Sequence, residues 1–193
     1  MSKNYSSHAS VDQSSRFFKA QKIEQLLAPA ITIKNADILD IGTGSGYIAH
    51  YLATIIKPDG KITSIDVADQ RIITSDYTFK EYSGQQLPFE DESFDIIISN
   101  HVIEHVGDRE EQKKHLKEIY RVLKPKGIVY FAVPNKWTIM EPHFKLPFLS
   151  WLPHYLASKY IKTTNKGSHY DCYPPSHTEF SNSRLNQKIN KFS

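Results

Sequence analysis

Three glycines at alternate positions follow an apolar run in the stretch ILDIGTGSG, residues 38–46. Gly42, Gly44 and Gly46 form a G-x-G-x-G pattern, and glycine lets a ligand approach the backbone closely because it has no side chain. The dinucleotide fingerprint is G-x-G-x-x-G, and its last position is Tyr47 here. The pattern therefore favours a nucleotide-type cofactor at this turn but argues against NAD or FAD. A tight turn without a ligand is the alternative.

An acidic residue lies 20 positions beyond the last glycine. Asp66 ends the stretch KITSID, where a carboxylate can accept two hydrogen bonds from the ribose hydroxyls of an adenine nucleoside. The same charge would repel a 2′-phosphate, which disfavours NADP. The alternative is an aspartate that caps a turn or a helix, and Asp69 is a weaker candidate for the ribose.

Strands and helices alternate along the chain as far as residue 133. Short connections between alternating elements are typical of a doubly wound parallel sheet, whose first strand-to-helix turn is the usual place of a nucleotide cofactor. The Lys-Pro-Lys-Gly run at 124–127 is expected to end the helix at 108–123. Apolar runs predict strands at 37–41, 61–66, 77–82, 94–99 and 128–133, and amphipathic spacing predicts helices at 16–27, 47–56, 108–123 and 181–192.

Composition sets limits on the class of protein. The chain has 193 residues with 39% hydrophobic and 23% charged side chains and a net charge of +3, which suits one globular domain. The basic residues are spread out, so no nucleic-acid partner is expected. The one cysteine, Cys172, cannot form an internal disulfide. With no apolar run of about 20 residues and no secretory signal at the polar start, the prediction is a cytoplasmic protein without a transmembrane segment.

Four motifs in order resemble the class I S-adenosylmethionine-dependent methyltransferases. They are ILDIGTGSG, ITSIDVAD, QQLPFEDESFDIIISNHVIEHV at 85–106 and HLKEIYRVLKPKGIVYFAVPN at 115–135. The last two are close to the small-molecule methyltransferases related to the quinone-biosynthesis C-methyltransferases. The resemblance implies a Rossmann-like fold, S-adenosyl-L-methionine as cofactor, and methyl transfer to a small-molecule or lipid-linked acceptor.

The resemblance also implies roles for residues at the first two strands. The backbone around Gly42 and Gly44 would pass under the methionine part of the cofactor, in the turn that Gly46 completes. Asp40 would help hold the cofactor's amino group, directly or through water. Asp66 would bind the ribose, and Val67 would pack on the adenine.

Further roles fall after the third and fourth strands. The family often has an aspartate before the "LPF" segment that meets the adenine amino group, whereas this chain has Ser83 and Gly84 there, with Gln85 as a substitute. Asn100 and His101 follow the fourth strand, where the family lines the site beside the reactive methyl.

A general base helps methyl transfer only if the acceptor carries a proton with a high pKa. His101, His105 and Glu104 are the candidates nearest in sequence, and His101 is the predicted catalytic residue. The alternative is that HVIEHV merely begins a helix.

Aromatic side chains are concentrated after the fifth strand, at the edge where open sheets bind ligands. They could line an acceptor pocket, form a small separate core, or make a patch that touches a membrane or a partner. The predicted division is a lead-in and helix at 1–35, a cofactor-binding core at 36–134, and a substrate-cover insertion with a last helix at 135–193. The aromatic residues in question are Trp137, Phe144, Phe148, Trp151 and Tyr155.

A donor-rich run follows that cover. Its H-x-D-C-x4-H-x-E spacing matches no standard zinc pattern, so polar loop residues and no metal are predicted. The run comprises His169, Asp171, Cys172, His177 and Glu179.

The family's fold normally ends with a strand hairpin beside the fifth strand. The 60 residues after Val133 contain no convincing strand pair, so the hairpin is predicted to be missing and IVYFAV to be an open apolar edge. Three explanations are open: the sequence is a fragment, the chain is a naturally shortened form, or a homodimer or another partner covers that edge. The rival functions are a non-catalytic cofactor-binding or scaffolding protein and a nucleotide-linked oxidoreductase.

Overall fold

The computed structural model describes residues 13–56, 59–82, 86–133, 140–141, 144–170 and 189–191. Its main feature is a six-stranded parallel sheet, whose strands are β1 (Asp37–Ile41), β2 (Lys61–Asp66), β3 (Thr78–Glu81), β4 (Phe94–Asn100), β5 (Leu123–Ala132) and β8 (Ile189–Lys191). Their order in the sheet is β3-β2-β1-β4-β5-β8. A separate antiparallel pair is formed by β6 (Met140–Glu141) and β7 (Leu146–Pro147).

Apolar residues on both faces of β1 and β4 place these strands at the centre of the sheet. Ile38 belongs to one core cluster and its neighbour Leu39 to the other. Helices α1 (Gln13–Leu27) and α2 (Tyr47–Ile56) pack on the first cluster, and α3 (Arg109–Val122) packs on the second. The doubly wound α/β fold expected from the sequence is confirmed.

The connection from β2 to β3 contains no helix within the described residues. Parallel strands are usually joined by a helical crossover of a dozen or more residues, but residues 67–77 cross in an irregular loop. Arg71 stacks over the ring of Phe79 at 3.9 Å and forms two hydrogen bonds with Asp69. The backbone amides of Ile72 and Ile73 donate to the carbonyl of Ser45, which fastens this crossover loop to the glycine turn.

Helix α3 ends at Val122, just before the run Lys124–Gly127 that was expected to close it, but the start of β5 predicted at residue 128 is wrong. Leu123 already pairs with Phe94, and β5 continues through the run to Ala132 with a register shift between Phe94 and Ile96. A bulge absorbs the extra residues, so proline and glycine can occupy the start of this strand.

The expectation of a helix at 181–192 is also wrong for the part that is described. Ile189–Lys191 form β8, which pairs in parallel with β5 from Val129 to Phe131. The open edge predicted for β5 is therefore covered at these residues by the chain itself. Within the described residues no antiparallel strand joins this edge, so the hairpin of the family's fold is not seen there.

A third, small core lies in residues 144–170. It is built around a 3-10 turn (Leu149–Trp151) and α4 (His154–Thr163). Its buried residues are Leu146, Leu149, Ala157, Ile161 and Tyr170. The division at residues 35 and 134 predicted from the sequence stays a prediction.

Candidate functional site

The sheet register brings the predicted binding residues to one edge. Ile41 pairs with Ile65 of β2 on one side and with Ser99 of β4 on the other. One residue further along each strand, Asp66, Gly42 and Asn100 stand side by side at the carboxyl ends of β2, β1 and β4. This is the edge at which open parallel sheets bind their ligands.

The glycine turn has a backbone that side chains would not fit. Gly42 has a φ of +72°, and a Cβ atom there would lie 2.5 Å from Cγ2 of Val102. Gly46 has a φ of +83°, and a Cβ atom there would collide with the carbonyl of Ile73 and the hydroxyl of Tyr77. Gly42 therefore permits close packing of the turn on the loop after β4, and Gly46 on the crossover loop.

Asp40 lies beneath this turn and is 2% exposed. Its Oδ2 accepts hydrogen bonds from Oγ1 of Thr43 at 2.5 Å and from Oγ of Ser64 at 3.4 Å. Burial raises the pKa of Asp40 to about 6, although both hydroxyls oppose the shift. The carboxyl group thus supports the turn from inside, and its contact with a cofactor amino group stays a prediction. Sequence reasoning missed Thr43 and Ser64, whose hydroxyls flank the aspartate on neighbouring segments.

Asp66 bridges the glycine turn and the end of β2. Its Oδ2 accepts from the amide of Gly44 at 2.9 Å, and its Oδ1 accepts from the amide of Val67 at 2.7 Å. The side chain of Val67 is exposed beside it, as an adenine-packing residue would be. The carboxylate faces the site, but backbone donors hold both of its oxygens.

The loop after β4 holds the predicted catalytic histidine in an unusual backbone conformation. His101 has a φ of +59°, and its amide donates to the carbonyl of Ala132 at 2.9 Å. Its Nδ1 lies 3.3 Å from Oε1 of Glu104, a residue with no solvent exposure. The following turn is a short 3-10 helix, Ile103–His105, and not the start of α3. Asp108 caps α3 separately with a capping box.

Asn100 supplies an acceptor to the site. Its Oδ1 is buried, and among the described residues it has no hydrogen-bond partner. A buried polar atom without a partner costs free energy, so such an atom at a ligand-binding edge is suited to a donor on the ligand. Oδ1 of Asn100, the narrow glycine turn and the Asp66 carboxylate together fit a cofactor with an ammonium group and a ribose.

Arg121 of α3 fastens the loop that carries the "LPF" motif. Its guanidinium donates to the carbonyls of Phe89 at 2.8 Å and Leu87 at 3.0 Å. It also pairs with Glu118 and Asp91. The predicted residues Ser83 and Gly84, and the substitute Gln85, lie outside the described residues.

A cleft of about 760 Å³ opens between α1 and α2. Ile73 of the crossover loop belongs to its lining, so the cleft borders the segment that packs on Gly46. Its lining includes the aromatic side chains Phe17, Phe18, Tyr47 and Tyr51.

The aromatic residues of the predicted substrate cover do not form one pocket. Phe144 packs on the small core at 6.0 Å from Tyr170, and Trp137 lies outside the described residues. Phe148, Trp151 and Tyr155 are exposed. Phe144 thus belongs to the small core, whereas Phe148, Trp151 and Tyr155 face outward, with Phe148 and Trp151 in edge contact.

No metal centre or membrane span emerges from the described part of the chain. It contains no group of three or more histidine, cysteine, aspartate or glutamate side chains placed to hold a metal ion. His169 is near Oγ of Ser158 at 3.2 Å, and the rest of its donor-rich run lies outside the described residues. None of the helices in the described segments has the length and apolar character needed to cross a bilayer.

Comparison with known proteins agrees with this geometry. Residues 39–131 match the methyltransferase domain family. The chain is 33% identical over 157 residues to the ubiquinone/menaquinone biosynthesis C-methyltransferase UbiE of Geotalea daltonii, covering 74% of this chain and 62% of the relative. It is 29% identical over 161 residues to the demethylmenaquinone methyltransferase of Chlorobaculum tepidum, covering 80% and 63%. The chain thus spans less than two thirds of the length of these curated relatives.

A solved structure shows the same fold. The S-adenosylmethionine-dependent methyltransferase from Methanosarcina mazei superposes with a TM-score of 0.60 at 23% identity, covering 81% of this chain and 80% of the other. Residues 39–131 therefore form a domain of the class I, S-adenosylmethionine-dependent methyltransferase family, related to the quinone-biosynthesis enzymes. The resemblance seen in the sequence motifs is confirmed.

Proposed function

We propose that this chain binds S-adenosylmethionine at the carboxyl edge of its sheet and transfers the methyl group to a quinone-type, lipid-linked acceptor. The observation that carries the proposal is the alignment of Asp66, Gly42 and Asn100 on adjacent strands. The names of the relatives, which act in ubiquinone and menaquinone biosynthesis, support the acceptor class.

The cofactor supplies an activated methyl group, and the chain's own residues orient it. The closely packed glycine turn would bring its backbone near the cofactor. The Oδ1 of Asn100 would accept from the ammonium group, and the Asp66 carboxylate would accept from the ribose hydroxyls with lone pairs that its bonds to the amides of Gly44 and Val67 leave available. In the transfer, the carbon–sulfur bond breaks, a carbon–acceptor bond forms, and the sulfur keeps the electron pair.

His101 takes the proton that the acceptor loses. Oε1 of Glu104 lies 3.3 Å from Nδ1 of the ring, and a hydrogen bond formed there would place the proton on Nδ1 and leave Nε2 as the proton acceptor. Glu104 acts through His101 and is a positioning residue. The buried carboxylate and the left-handed backbone at His101 together hold the imidazole in one orientation.

Methyl transfer from labelled S-adenosylmethionine to a short-chain demethylmenaquinone tests the proposal. The variant His101→Gln should lower kcat at least about a hundredfold, the scale of general-base catalysis, while affinity for S-adenosylhomocysteine stays unchanged. The variant Glu104→Gln should lower kcat less than His101→Gln does, because Glu104 acts only through the histidine. The variant His169→Gln, at an exposed position after α4, is the matched control.

Two results would contradict the proposal. Unchanged kcat in His101→Gln would remove the histidine from the reaction. Cofactor binding without transfer to any quinone-type acceptor would favour the non-catalytic alternative.

A further inference from the structure

The outward-facing patch after β5 combines exposed aromatic rings with lysines. Phe148 and Trp151 are in edge contact at 5.0 Å and are 47% and 46% exposed. Tyr155 at the start of α4 is 73% exposed. Large aromatic side chains in solvent are unfavourable unless they meet another apolar phase.

Helix α4 separates its buried and exposed residues cleanly. Ala157 and Ile161, four positions apart, are fully buried on the small core. About half a turn away lie three exposed residues at spacings of four and three positions, Tyr155, Lys159 and Lys162. We call these three residues, together with Phe148 and Trp151, the aromatic-lysine surface.

The charge around this surface has one sign. Residues 144–170 contain four lysines and no aspartate, glutamate or arginine. None of the four forms a salt bridge with a described residue. By contrast, Lys113 and Lys124 elsewhere on the molecule pair with carboxylates. The segment thus carries a positive charge that no ion pair with a described residue neutralises. The four residues are Lys145, Lys159, Lys162 and Lys166.

The loop before α4 presents two of these side chains from a strained backbone. Lys145 has a φ of +52° and Phe148 a φ of +58°, in the left-handed region that residues with long side chains seldom adopt. Both side chains are exposed. Strained backbone of this kind is concentrated at functional segments, where it fixes the direction of a side chain.

From these observations we infer that the aromatic-lysine surface docks on the anionic headgroup layer of a lipid bilayer. Tryptophan and tyrosine favour the membrane–water interface, and lysines beside them are attracted by anionic lipids. Phe148 and Trp151 enter the headgroup region, and Lys159 and Lys162 contact lipid phosphates. The inference rests on this surface alone and does not depend on the proposed methyl transfer.

Vesicle flotation of the full chain tests the inference. The chain should float with vesicles of equal parts phosphatidylcholine and phosphatidylglycerol, bind phosphatidylcholine vesicles weakly, and be released by high salt. Trp151→Ala should weaken partitioning about fivefold or more, and the double variant Lys159→Glu/Lys162→Glu at least about tenfold. These substitutions are at exposed positions, and unfolding curves check that the fold is intact.

Matched controls carry the same changes elsewhere. Tyr120→Ala removes a ring of 46% exposure from α3, and Lys61→Glu/Lys126→Glu reverses two exposed lysines at the amino end of the sheet. Both controls should float like the parent chain. Binding of S-adenosylhomocysteine, measured on the same samples, reports the cofactor site separately.

Three outcomes would overturn the inference. They are failure of the folded chain to float with anionic vesicles, equal losses in the control variants, and a concentration-dependent dimer that Trp151→Ala abolishes. The last would assign the surface to a second copy of the chain.

Discussion

At the scale of single residues, the site depends on small groups that leave room and on carboxylates with different environments. Gly42 leaves room for Val102, Asp40 is buried below the turn, and Asp66 stands at its edge. The sequence placed Gly42, Asp66 and Asn100 at strand ends, because strand ends can be read from apolar runs, and the structure aligns those ends at one edge. Their roles towards a cofactor stay predictions. It could not predict the left-handed backbone of His101, which tertiary packing imposes.

The proposed ribose contact predicts that Asp66 contributes to the affinity for S-adenosylhomocysteine and that the nearby Asp69 does not. Asp66→Ala should weaken S-adenosylhomocysteine binding by about 1–3 kcal/mol, the scale of a charge-assisted contact. Asp69→Ala should leave the affinity unchanged, because Asp69 is exposed and bonded to Arg71. Calorimetric titration measures both. Equal affinities in the parent and Asp66→Ala would remove Asp66 from the ribose.

Gly42 and Val102 should be energetically coupled. Gly42→Ala forces a methyl group into contact with Val102 at a positive φ, so we expect a loss of about 1–3 kcal/mol of stability. Combining it with Val102→Ala relieves the contact but not the backbone strain. Urea unfolding of the double-mutant cycle should therefore give a cost smaller than the sum of the single variants. A strictly additive cycle would contradict the packing described for this turn.

The stability of the chain should depend on pH through two buried groups, Asp40 and His115, whose pKa values burial shifts in opposite directions. The pKa of Asp40 is raised from 3.8 to about 6, so between these values the folded state keeps a proton that the unfolded chain releases. Its stabilising contribution is lost as the pH rises through about 6. Burial lowers the pKa of His115 from 6.5 to about 4, so its contribution is present above 6.5 and lost as the pH falls.

Single variants separate the two contributions. With Asp40→Asn, unfolding free energy should rise with pH between about 4 and 6 more steeply than in the parent, by up to about 3 kcal/mol across the window. With His115→Gln, the opposite slope should appear. Denaturant unfolding at several pH values measures this, and identical slopes in all three proteins would refute the burial of both groups.

At the scale of elements, loops are fastened to helices and strands by a few polar side chains. The apolar runs and caps predicted α2, β1, β2 and β4 to within a residue. The start of β5 was missed because proline and glycine usually end an element, and a bulge overrides that rule here. The sequence predicted no helix between residues 66 and 77, and the structure has none there. Nothing local, however, indicates that Arg71 will cover the ring of Phe79.

Among the polar side chains that hold these loops in place, Arg121 should contribute most to the unfolding free energy. Arg121→Ala leaves the carbonyls of Leu87 and Phe89 without their donor and should cost about 2–3 kcal/mol of unfolding free energy. It should also speed amide exchange in residues 86–91. The control Lys113→Ala removes an exposed ion pair from the same helix and should cost no more than about 0.5 kcal/mol. Equal effects of the two variants would contradict the role given to Arg121.

At the scale of the whole molecule, the three apolar clusters have different roles. Two of them sandwich the sheet and fix the site at its carboxyl edge, and the third carries the aromatic-lysine surface. The sequence indicated the sheet and its cofactor edge, because alternating elements admit few topologies. It left the aromatic residues open among three alternatives, since spacing alone does not tell a buried ring from an exposed one.

The most direct test of the central claim is calorimetric titration of the whole chain with S-adenosylhomocysteine, with NADH as the comparison. The account predicts binding of S-adenosylhomocysteine alone, and at a ligand concentration of about 100 Kd a gain of about 2.7 kcal/mol in unfolding free energy. Binding of NADH with equal or greater affinity, or no binding of either ligand to a folded chain, would contradict it.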